Sequence, residues 1–326
     1  MKMKDVAAAA GVSVATVSKI LNARDEHISD ATRARVLDIV KKTGYVPNAV
    51  AKGLKQNRSR MIGFILPDIS NPFFPSVAKG MEETANKYGY GVLIANTNDS
   101  VKSEQEALRF LTSQKVGGIV FSRTLHSKHL EKCAETEMPI VVVDRAFDFE
   151  YSGMGCVTVD TLAGMKASTE VLIKSGCKHI ACISARYSSD TDRFFGYCDA
   201  LKEAGMVLDE ALIYNDTFTF ETGYNGIEEI LSRTCADGVV CGNDLIAVGV
   251  LSRLSEKGVS VPKQIKIMGF DDIYLSKYIT PPLSTVRQPA YEMGAEAVKM
   301  LIEHLENRVP LYDKKLDFSL VMRGTV

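Results

Sequence analysis

The stretch MIGFILPDISNPFFPSVAKGMEETANKYGYGVLIANT (61–97) decides the fold of most of this chain. It contains an apolar strand over 61–68, an amphipathic helix that ends at Gly89, and a second apolar strand over 91–97. A glycine after the last helical turn supplies the left-handed backbone that closes a helix. Both strands are nearly continuous apolar runs, which is typical of parallel strands with helices on both faces. The segment therefore predicts a strand–helix–strand unit of an α/β sheet.

The same alternation continues through the rest of the chain. The predicted strands are 61–68, 91–97, 117–122, 139–144, 156–160, 179–184, 211–215, 237–242 and 265–270. These are too many for one sheet of ordinary size, so we expect two parallel-sheet subdomains with a cleft between them. Ligands of such sheets bind beyond the carboxyl ends of the strands, where the strand order reverses.

Charge is divided unevenly along the sequence. Residues 1–60 carry 12 Lys and Arg against 5 Asp and Glu, a net charge of +7, whereas the other 266 residues carry 27 against 35, a net charge of −8. A basic head on an acidic body predicts that the head meets a polyanion, and a terminus that is rich in lysine by chance is the alternative. A content of 46% hydrophobic and 24% charged residues excludes disordered, collagenous and low-complexity classes.

The sequence lacks the marks of a membrane or secreted protein. No apolar run approaches the roughly 18 residues that a membrane span needs, and the start MKMKDVAAAAG has no long apolar core. The cysteines are odd in number, without C-x-x-C spacing, and predict free and mostly buried thiols. They stand at 133, 156, 177, 182, 198, 235 and 241. We therefore expect a cytoplasmic protein with no membrane partner.

Residues 1–46 predict a small all-α helix-turn-helix head. One helix runs over 5–10, Gly11 breaks it, and a second helix over 14–21 follows the N-cap Ser13. A third helix, over 31–43, packs against them. The side chains that point outward from the second helix are Val14, Ala15, Thr16, Ser18 and Lys19. In such a module the second helix enters the major groove, where Lys19 can donate to guanine; an ordinary helical bundle is the alternative.

Three blocks in a fixed order carry a family resemblance: DVAAAAGVSVATVSKILN (5–22), TRARVLDIVKKTGYVPNAVAKGL (32–54) and RMIGFILPDISNPFF (60–74). With NDLIAVGVL, IMGFDD and PPLSTVRQP further on, the chain resembles the lactose-repressor (LacI/GalR) family of bacterial transcription regulators over nearly its whole length. The resemblance implies a periplasmic-binding-protein-like core and a homodimer whose two heads bind a palindromic operator. It also implies a hinge segment that becomes helical only on DNA, where Leu54 wedges into a base step.

The resemblance sets the expected domains. They are a head over 1–46, a hinge over 47–60 and a core over 61–326, whose N-subdomain covers about 61–160 and 288–320 and whose C-subdomain covers about 161–287 and 321–326. The hinge is too short and too rich in glycine to be helical alone, and its basic residues, including Arg60, suit phosphate neutralisation. An inert basic linker is the alternative. The expected DNA contacts are Ser13, Val14, Ala15, Thr16, Ser18, Lys19, Asn22, Tyr45, Asn48, Lys52 and Leu54.

The resemblance also implies a small carbohydrate-like effector in the cleft. The candidate effector contacts are Phe73, Asn96, Ser122, Arg123, Arg193, Phe218, Asn243 and Asp271. Arg193 stands in the first turn of a helix, where a cation opposes the helix dipole, and with Asp271 it would offer a donor and an acceptor to neighbouring hydroxyls.

Several of these roles have competing explanations. Phe73 could stack on a ligand ring or belong to the core, and of Asn243 and Asp244 one caps the next helix. Arg123, with His126, adds a cation at the mouth of the cleft, so a sugar acid or a sugar phosphate joins a neutral sugar among the possible effectors. A plain surface role is the simpler explanation of Arg123.

No nucleotide-binding, serine-nucleophile, zinc-protease or EF-hand motif occurs. His126 and His129 could share a helical face, but solvated side chains explain them better than a metal site does. We therefore expect no catalytic residues, cofactor or metal, and an effector-responsive regulator that acts as a repressor. A cytoplasmic sugar-binding enzyme with an accessory head and a solute-binding protein are the alternatives.

Overall fold

A computed structural model describes residues 2–21, 25, 27–45, 59–124, 138–145, 154–185 and 192–326. The chain forms two compact units, residues 1–59 and residues 60–326, and each is described by itself.

The first unit is the three-helix head. Its helices are α1 (Met3–Ala10), α2 (Val14–Leu21) and α3 (Asp30–Thr43). α1 begins two residues before the predicted start, because the backbone N–H of Lys2 donates to Asp5 Oδ2 at 2.7 Å and completes a cap. The head core contains Val6, Ala7, Ala10, Val17, Ile20 and Val36.

The predicted serine cap at Ser13 is confirmed, and Ser29 makes the same kind of cap. Ser13 Oγ accepts from the backbone N–H of Thr16 at 3.0 Å, and Ser29 Oγ accepts from that of Thr32 at 3.4 Å. Each cap satisfies an N–H group that a helix start leaves without a partner. The break at Gly11 is a left-handed residue with φ of +60°. The sequence therefore encodes the tight turn between α1 and α2 directly.

The first sheet of the second unit has six parallel strands. They are β1 (Met61–Leu66), β2 (Gly91–Asn96), β3 (Gly118–Phe121), β4 (Ile140–Val143), β5 (Met154–Val159) and β11 (Asp313–Leu316). Their order is β11-β5-β4-β3-β1-β2, so the topology reverses between β1 and β3. Its helices are α4 (Phe73–Lys87), α5 (Val101–Ser113) and α10 (Ala290–Asn307).

The second sheet repeats this plan, with the order β12-β10-β9-β8-β6-β7 and one antiparallel edge strand, β12. Its strands are β6 (Ile180–Ala185), β7 (Ile213–Asp216), β8 (Gly238–Cys241), β9 (Lys266–Asp271), β10 (Ser284–Arg287) and β12 (Ser319–Val321). Its helices are α6 (Thr161–Lys174), α7 (Asp192–Glu203), α8 (Phe220–Arg233) and α9 (Asp244–Glu256). Short 3-10 helices cover Glu210–Leu212 and Tyr274–Lys277.

Apolar clusters cover both faces of each sheet, as the continuous apolar strands predict. α4 and α10 pack on one face of the first sheet and α5 on the other, while α8 and α9 oppose α6 and α7 across the second sheet. Both sheets therefore direct the carboxyl ends of their strands toward loops, which is where a ligand site belongs.

The chain passes between the two subdomains three times. β5 leads into α6, β10 leads into α10, and β11 leads into β12. The third passage lies at 317–318 rather than at 320–321, because Ser319–Val321 pairs with β10 in the second sheet. Phe318 packs against apolar clusters of both subdomains at this passage.

Three strands escaped the sequence-based prediction: β10, β11 and β12. β11, with the sequence DKKL, and β12, with SLV, are short edge strands, and β10 follows two prolines. β11 and β12 lack a continuous apolar run, and they pair with strands that are distant in the sequence. The left-handed helix end predicted at Gly89 is confirmed, with a φ of +72°. Gly176, Gly205 and Gly258 also have positive φ angles, between +69° and +94°, directly after helices.

α4 and α10 touch backbone to backbone. A Cβ placed on Gly80 would overlap the carbonyl oxygen of Tyr291, and one placed on Gly294 would overlap that of Val77. Glycine at both positions is therefore required by the packing of the two helices, and neither residue has a positive φ.

Gly80→Ala should lower the free energy of unfolding by about 1–3 kcal/mol, because the new methyl group forces the two helix backbones apart. Chemical denaturation of the full chain measures this loss. Lys79→Ala, an exposed substitution on the same helix, is the matched control and should stay within about 0.5 kcal/mol of the wild type. Equal stability of the Gly80→Ala variant would contradict the close backbone contact.

Candidate functional site

The outward face of α2 forms the first candidate site. Val17 and Ile20 are buried in the head core, while Val14, Ala15 and Lys19 are exposed. An exposed valine beside an exposed lysine at the start of a helix suits contact with thymine methyl groups and guanine acceptors. The face is pre-formed, because the Ser13 cap fixes the first turn.

Other predicted DNA contacts have different settings. Thr16 Oγ1 shares a hydrogen bond with Ser13 Oγ at 2.9 Å, Ser18 is half-buried, and Tyr45 packs against the head core. Four more predicted contacts lie outside the described residues: Asn22, Asn48, Lys52 and Leu54.

Arg60 makes its described contacts within the second unit. Its NH1 group donates to the carbonyl oxygen of Tyr88 at 3.3 Å, its NH2 lies 3.8 Å from Glu306, and its guanidinium lies over the Tyr90 ring. Arg60 directly precedes β1, which explains why it contacts this unit. Its role in phosphate neutralisation stays a prediction.

Arg193 forms the centre of the second candidate site, in the first turn of α7 as predicted. Its side chain is only 10% exposed, and its NH1 donates to the carbonyl oxygen of Gly242 at 2.5 Å. Its NH2 lies 3.8 Å from Asp144 Oδ1 and 3.9 Å from Asp271 Oδ1. Because Asp144 follows β4 and Asp271 ends β9, this arginine bridges the carboxyl edges of the two sheets.

Aromatic rings surround the Arg193 guanidinium. The Cζ atom of Arg193 lies 4.2 Å from the ring centre of Phe270 and 5.2 Å from that of Phe218. Arg145, which follows β4 in the other subdomain, lies 5.2 Å from the same Phe218 ring. Phe218 therefore contacts cations from both subdomains.

Asp144 and Arg145 were missed by the sequence reasoning. Arg145 lies 3.5 Å from Asp144, 3.7 Å from Asp99, and donates to the carbonyl oxygen of Arg123 at 3.0 Å. The signal was present, since the pair follows the apolar strand in PIVVVDR as Asp271 follows its own strand. Arg145, rather than Arg123, provides the cation that reaches across to Phe218.

Backbone strain marks both carboxylates of the bridge. Asp144 has a φ of +67° and Asp271 a φ of +115°. Residues other than glycine rarely adopt positive φ angles, and those that do concentrate at functional sites. Burial raises the pKa of Asp271 to about 8, with Arg193 opposing the shift and the nearby carboxylates of Asp244 and Asp144 adding to it.

Asn243 is the N-cap of α9, since its Oδ1 accepts from the N–H of Ile246 at 2.9 Å. Its amide nitrogen donates to the carbonyl oxygen of Phe218 at 3.3 Å. Asp244 is fully buried and accepts hydrogen bonds from Ser276 and Thr285. Because its carboxylate is engaged within the second subdomain, Asp244 is part of the scaffold of the site.

The remaining candidates have varied settings. Phe73 is buried in the core of the first subdomain, which favours the core explanation for its ring. Asn96 Oδ1 accepts from the N–H of Ile69 at 2.8 Å. Ser122 is fully buried after β3, and Arg123 is half-buried next to it. The structure thus brings Arg193, Phe218, Asn243 and Asp271 together and leaves Phe73 in the core.

Among the described residues, no three His, Cys, Asp or Glu side chains are placed to hold a metal ion. Within the same residues no helix has the length and apolar character to cross a membrane. Six cysteines are free thiols, of which Cys177, Cys182 and Cys241 are buried and Cys235 is exposed. Cys133 and the pair His126 and His129 lie outside the described residues.

Comparison with known proteins matches both units. Residues 2–48 match the family described as bacterial regulatory proteins, lacI family, and residues 59–312 match periplasmic binding proteins and sugar binding domain of LacI family. The chain belongs to the LacI family. This regulator is 38% identical to the HTH-type transcriptional regulator RegA of Clostridium saccharobutylicum, over 94% of this chain and 93% of that protein.

Two further similarities cover most of the chain. The ribose operon repressor of Bacillus subtilis (strain 168) is 37% identical over 99% of this chain and 97% of that protein. A solved LacI family transcriptional regulator from Enterococcus faecium, with bound ribose, is 26% identical with a TM-score of 0.72, over 81% of this chain and 98% of that chain. This LacI-family member is therefore an effector-responsive transcriptional regulator and not an enzyme.

Asp271→Asn should flatten the dependence of stability on pH. The folded state holds a proton on Asp271 up to about pH 8, whereas the unfolded chain releases it near the ordinary value of 3.8. Stability is therefore lost as pH rises, and the free energy of unfolding should fall by roughly 2 kcal/mol between pH 6.5 and 8.5 in the wild type.

Chemical denaturation at the two pH values measures this difference. Burial raises the pKa of Asp244 to about 6. Asp244 therefore affects the pH dependence of stability mainly below pH 6.5. The exposed Asp216→Asn controls for the loss of one carboxylate and should keep the wild-type fall. An equal fall in Asp271→Asn would show that Asp271 is not the group that titrates.

Proposed function

We propose that this LacI-family protein is a repressor that binds a palindromic operator as a homodimer and is controlled by a small carbohydrate-like ligand between its two sheets. The observation that carries the control is the Arg193 bridge, which joins Asp144 of the first subdomain to Asp271 of the second. A ligand that enters this site must compete with the bridge. It therefore has a direct means of changing how the subdomains meet.

The chemistry of the bridge suits hydroxyl groups. Arg193 supplies donors, Asp144 and Asp271 supply acceptors, and Phe218 supplies an apolar ring for the face of a sugar. Two relatives support a ligand with hydroxyl groups, since one is named a ribose operon repressor and a solved family member holds ribose. A sugar, a sugar acid and a sugar phosphate all carry such hydroxyls.

Control follows from differential affinity. A ligand shifts the balance between two arrangements of the subdomains only as far as it binds one more tightly than the other. In a homodimer, a change in the relative arrangement of the two subdomains alters the spacing of the two heads. That spacing decides how well the heads fit two operator half-sites. The sign of the response depends on which arrangement binds DNA.

Operator recognition is assigned to the head and the segment after it. Lys19 and the exposed start of α2 read the major groove, while Leu54 in the 47–60 segment wedges into a minor-groove step and kinks the duplex. Asn22, Tyr45, Asn48 and Lys52 add contacts to bases and phosphates. Since operator DNA lies in the bacterial cytoplasm, we infer that the protein acts there.

A gel-shift and footprinting assay on the protein's own promoter region tests this function. A repressor of this kind should protect a palindromic site, and its affinity should fall about 10³- to 10⁵-fold between 50 and 200 mM salt if it neutralises six to ten phosphates. No shift at low salt with any promoter fragment would overturn the proposal.

Lys19→Ala should weaken operator binding by about 10- to 100-fold, because a lysine at a base edge contributes about 1–3 kcal/mol. Lys41→Ala in the exposed last turn of α3 is the matched control, since it removes the same charge from the same head. Equal loss in both variants would show that Lys19 acts only through its charge.

A further inference from the structure

Glu104 is a buried carboxylate in the first turn of α5, and it is only 2% exposed. A carboxylate is kept in such a place only where hydrogen bonds or an opposite charge replace its water. Its Oε2 atom accepts a hydrogen bond from the backbone N–H of Thr124 at 2.9 Å. Thr124 is fully buried and lies three residues after the end of β3. Glu104 therefore fixes the backbone that leaves this strand toward the cleft.

The same peptide group binds a cation at its other end. The carbonyl oxygen of Arg123, which belongs to the peptide group that carries the N–H of Thr124, accepts from Arg145 NH1 at 3.0 Å. In a trans peptide group the N–H and the C=O point in opposite directions. One peptide group thus lies between the carboxylate of Glu104 and the guanidinium of Arg145.

The order of these charges matches the dipole of the peptide group. The positive N–H end faces Glu104, and the negative C=O end faces Arg145. Hydrogen bonds to ionised groups are about twice as strong as those between neutral groups, and bonds in a chain polarise one another. Each charge therefore strengthens the hydrogen bond that the other makes, although a peptide group separates them.

Arg145 carries this arrangement across to the second subdomain. Besides the peptide oxygen, its guanidinium lies 3.7 Å from Asp99 and 3.5 Å from Asp144, both in the first subdomain, and its side chain is only 11% exposed. Its Cζ atom lies 5.2 Å from the ring centre of Phe218 in the second subdomain. A cation near an aromatic ring is attracted more strongly where water is excluded. This contact is a second connection between the subdomains, in addition to the Arg193 bridge.

We propose that Glu104 is a positioning residue for the effector response. Its negative charge holds Arg145, through the peptide group of residues 123–124, in contact with Phe218 across the two subdomains. The inference rests on the proposed effector control for its purpose, since a ligand that moves the subdomains must break or keep this contact. Glu104 acts from α5, through Arg145.

A purely structural role for Glu104 makes a different prediction. In that role the side chain only satisfies the buried N–H of Thr124, and any acceptor of the same size would serve. Glu104→Gln separates the two roles, because its amide oxygen still accepts a hydrogen bond while the negative charge is lost. Only a role that depends on charge predicts that this variant loosens Arg145 from Phe218.

A tryptophan at the contact gives a direct measurement. The chain contains no tryptophan, so Phe218→Trp introduces a single indole, which binds cations better than a phenyl ring does. Acrylamide quenching of the ligand-free full chain then measures how exposed this indole is. Adding Glu104→Gln should raise the quenching constant about two-fold, because Arg145 no longer covers the ring. Glu106→Gln, at an exposed glutamate of the same helix, is the matched control and should leave the constant unchanged.

Removal of the cation shows whether Glu104 acts through it. In the Phe218→Trp protein, Arg145→Ala should raise the quenching constant at least as much as Glu104→Gln does. With Arg145→Ala already present, Glu104→Gln should add no further change. An unchanged constant in Glu104→Gln, an unchanged constant in Arg145→Ala, or an additional rise in the combined variant would each overturn the proposal. Loss of folding in Glu104→Gln, seen by circular dichroism, would overturn it by showing a structural role.

Operator binding separates this inference from the proposed function, because the quenching measurement needs neither DNA nor effector. If the wild type shifts its promoter fragment while Glu104→Gln leaves the indole covered, the role of Glu104 fails and the DNA-binding function stands. If the quenching results are as expected but the wild type does not shift the fragment, the contact stands, whereas its purpose in an effector response fails with the proposed function.

Discussion

The Arg193 bridge is the interaction on which the rest of the effector site depends. Its guanidinium contacts the carbonyl oxygen of Gly242, two carboxylates and two aromatic rings from a nearly buried position. A cation in such a place is stable only because charged and polar partners replace its water. Those partners come from both sheets, so any change in the separation of the subdomains changes the solvation of this one charge.

The bridge explains the other unusual features around it. Asp144 and Asp271 adopt strained positive φ angles that hold their carboxylates against Arg193. Burial raises the pKa of Asp271, and Gln288 donates a hydrogen bond to the same Asp271 oxygen that lies near Arg193. The strain and the burial each cost free energy in the ligand-free protein. Together they describe a site that gains partners when a ligand rich in hydroxyl groups arrives.

The division of charge in the sequence has a parallel in the two units. The head places Lys19 and the exposed start of α2 outward on a small core. In the acidic second unit, the side chains of Asp144 and Asp271 face Arg193 instead of solvent. A net charge of −1 for the whole chain therefore conceals a basic part suited to phosphate and an acidic part suited to a neutral ligand.

Much of the fold could be predicted from the sequence, because buried parallel strands and capped helices leave local patterns. The caps at Ser13 and Ser29 and the apolar strands from β1 to β9 are examples. The edge strands β11 and β12 could not, since their pairing depends on distant partners. Arg60 also escaped prediction, because its ion pair with Glu306 spans most of the sequence.

The effector site was only partly predictable. Arg193 and Asp271 stand out locally, one opposing a helix dipole and the other ending an apolar strand. Asp144 and Arg145 carried the same strand-end signal, but only the fold shows that they face the second sheet. Gln288 was not a candidate in the sequence analysis, and only the fold shows that it donates to Asp271.

The most direct measurement of the bridge is the distance between the two subdomains in solution. Fluorescent labels on non-canonical residues at the exposed positions Lys102 and Ser232 would report it by single-molecule energy transfer, in the wild type and in Asp144→Asn. Asp313→Asn, on an exposed position of β11, serves as the control. A bridge that holds the subdomains together predicts a shift to longer distances in Asp144→Asn alone. Identical distance distributions in all three proteins would contradict it.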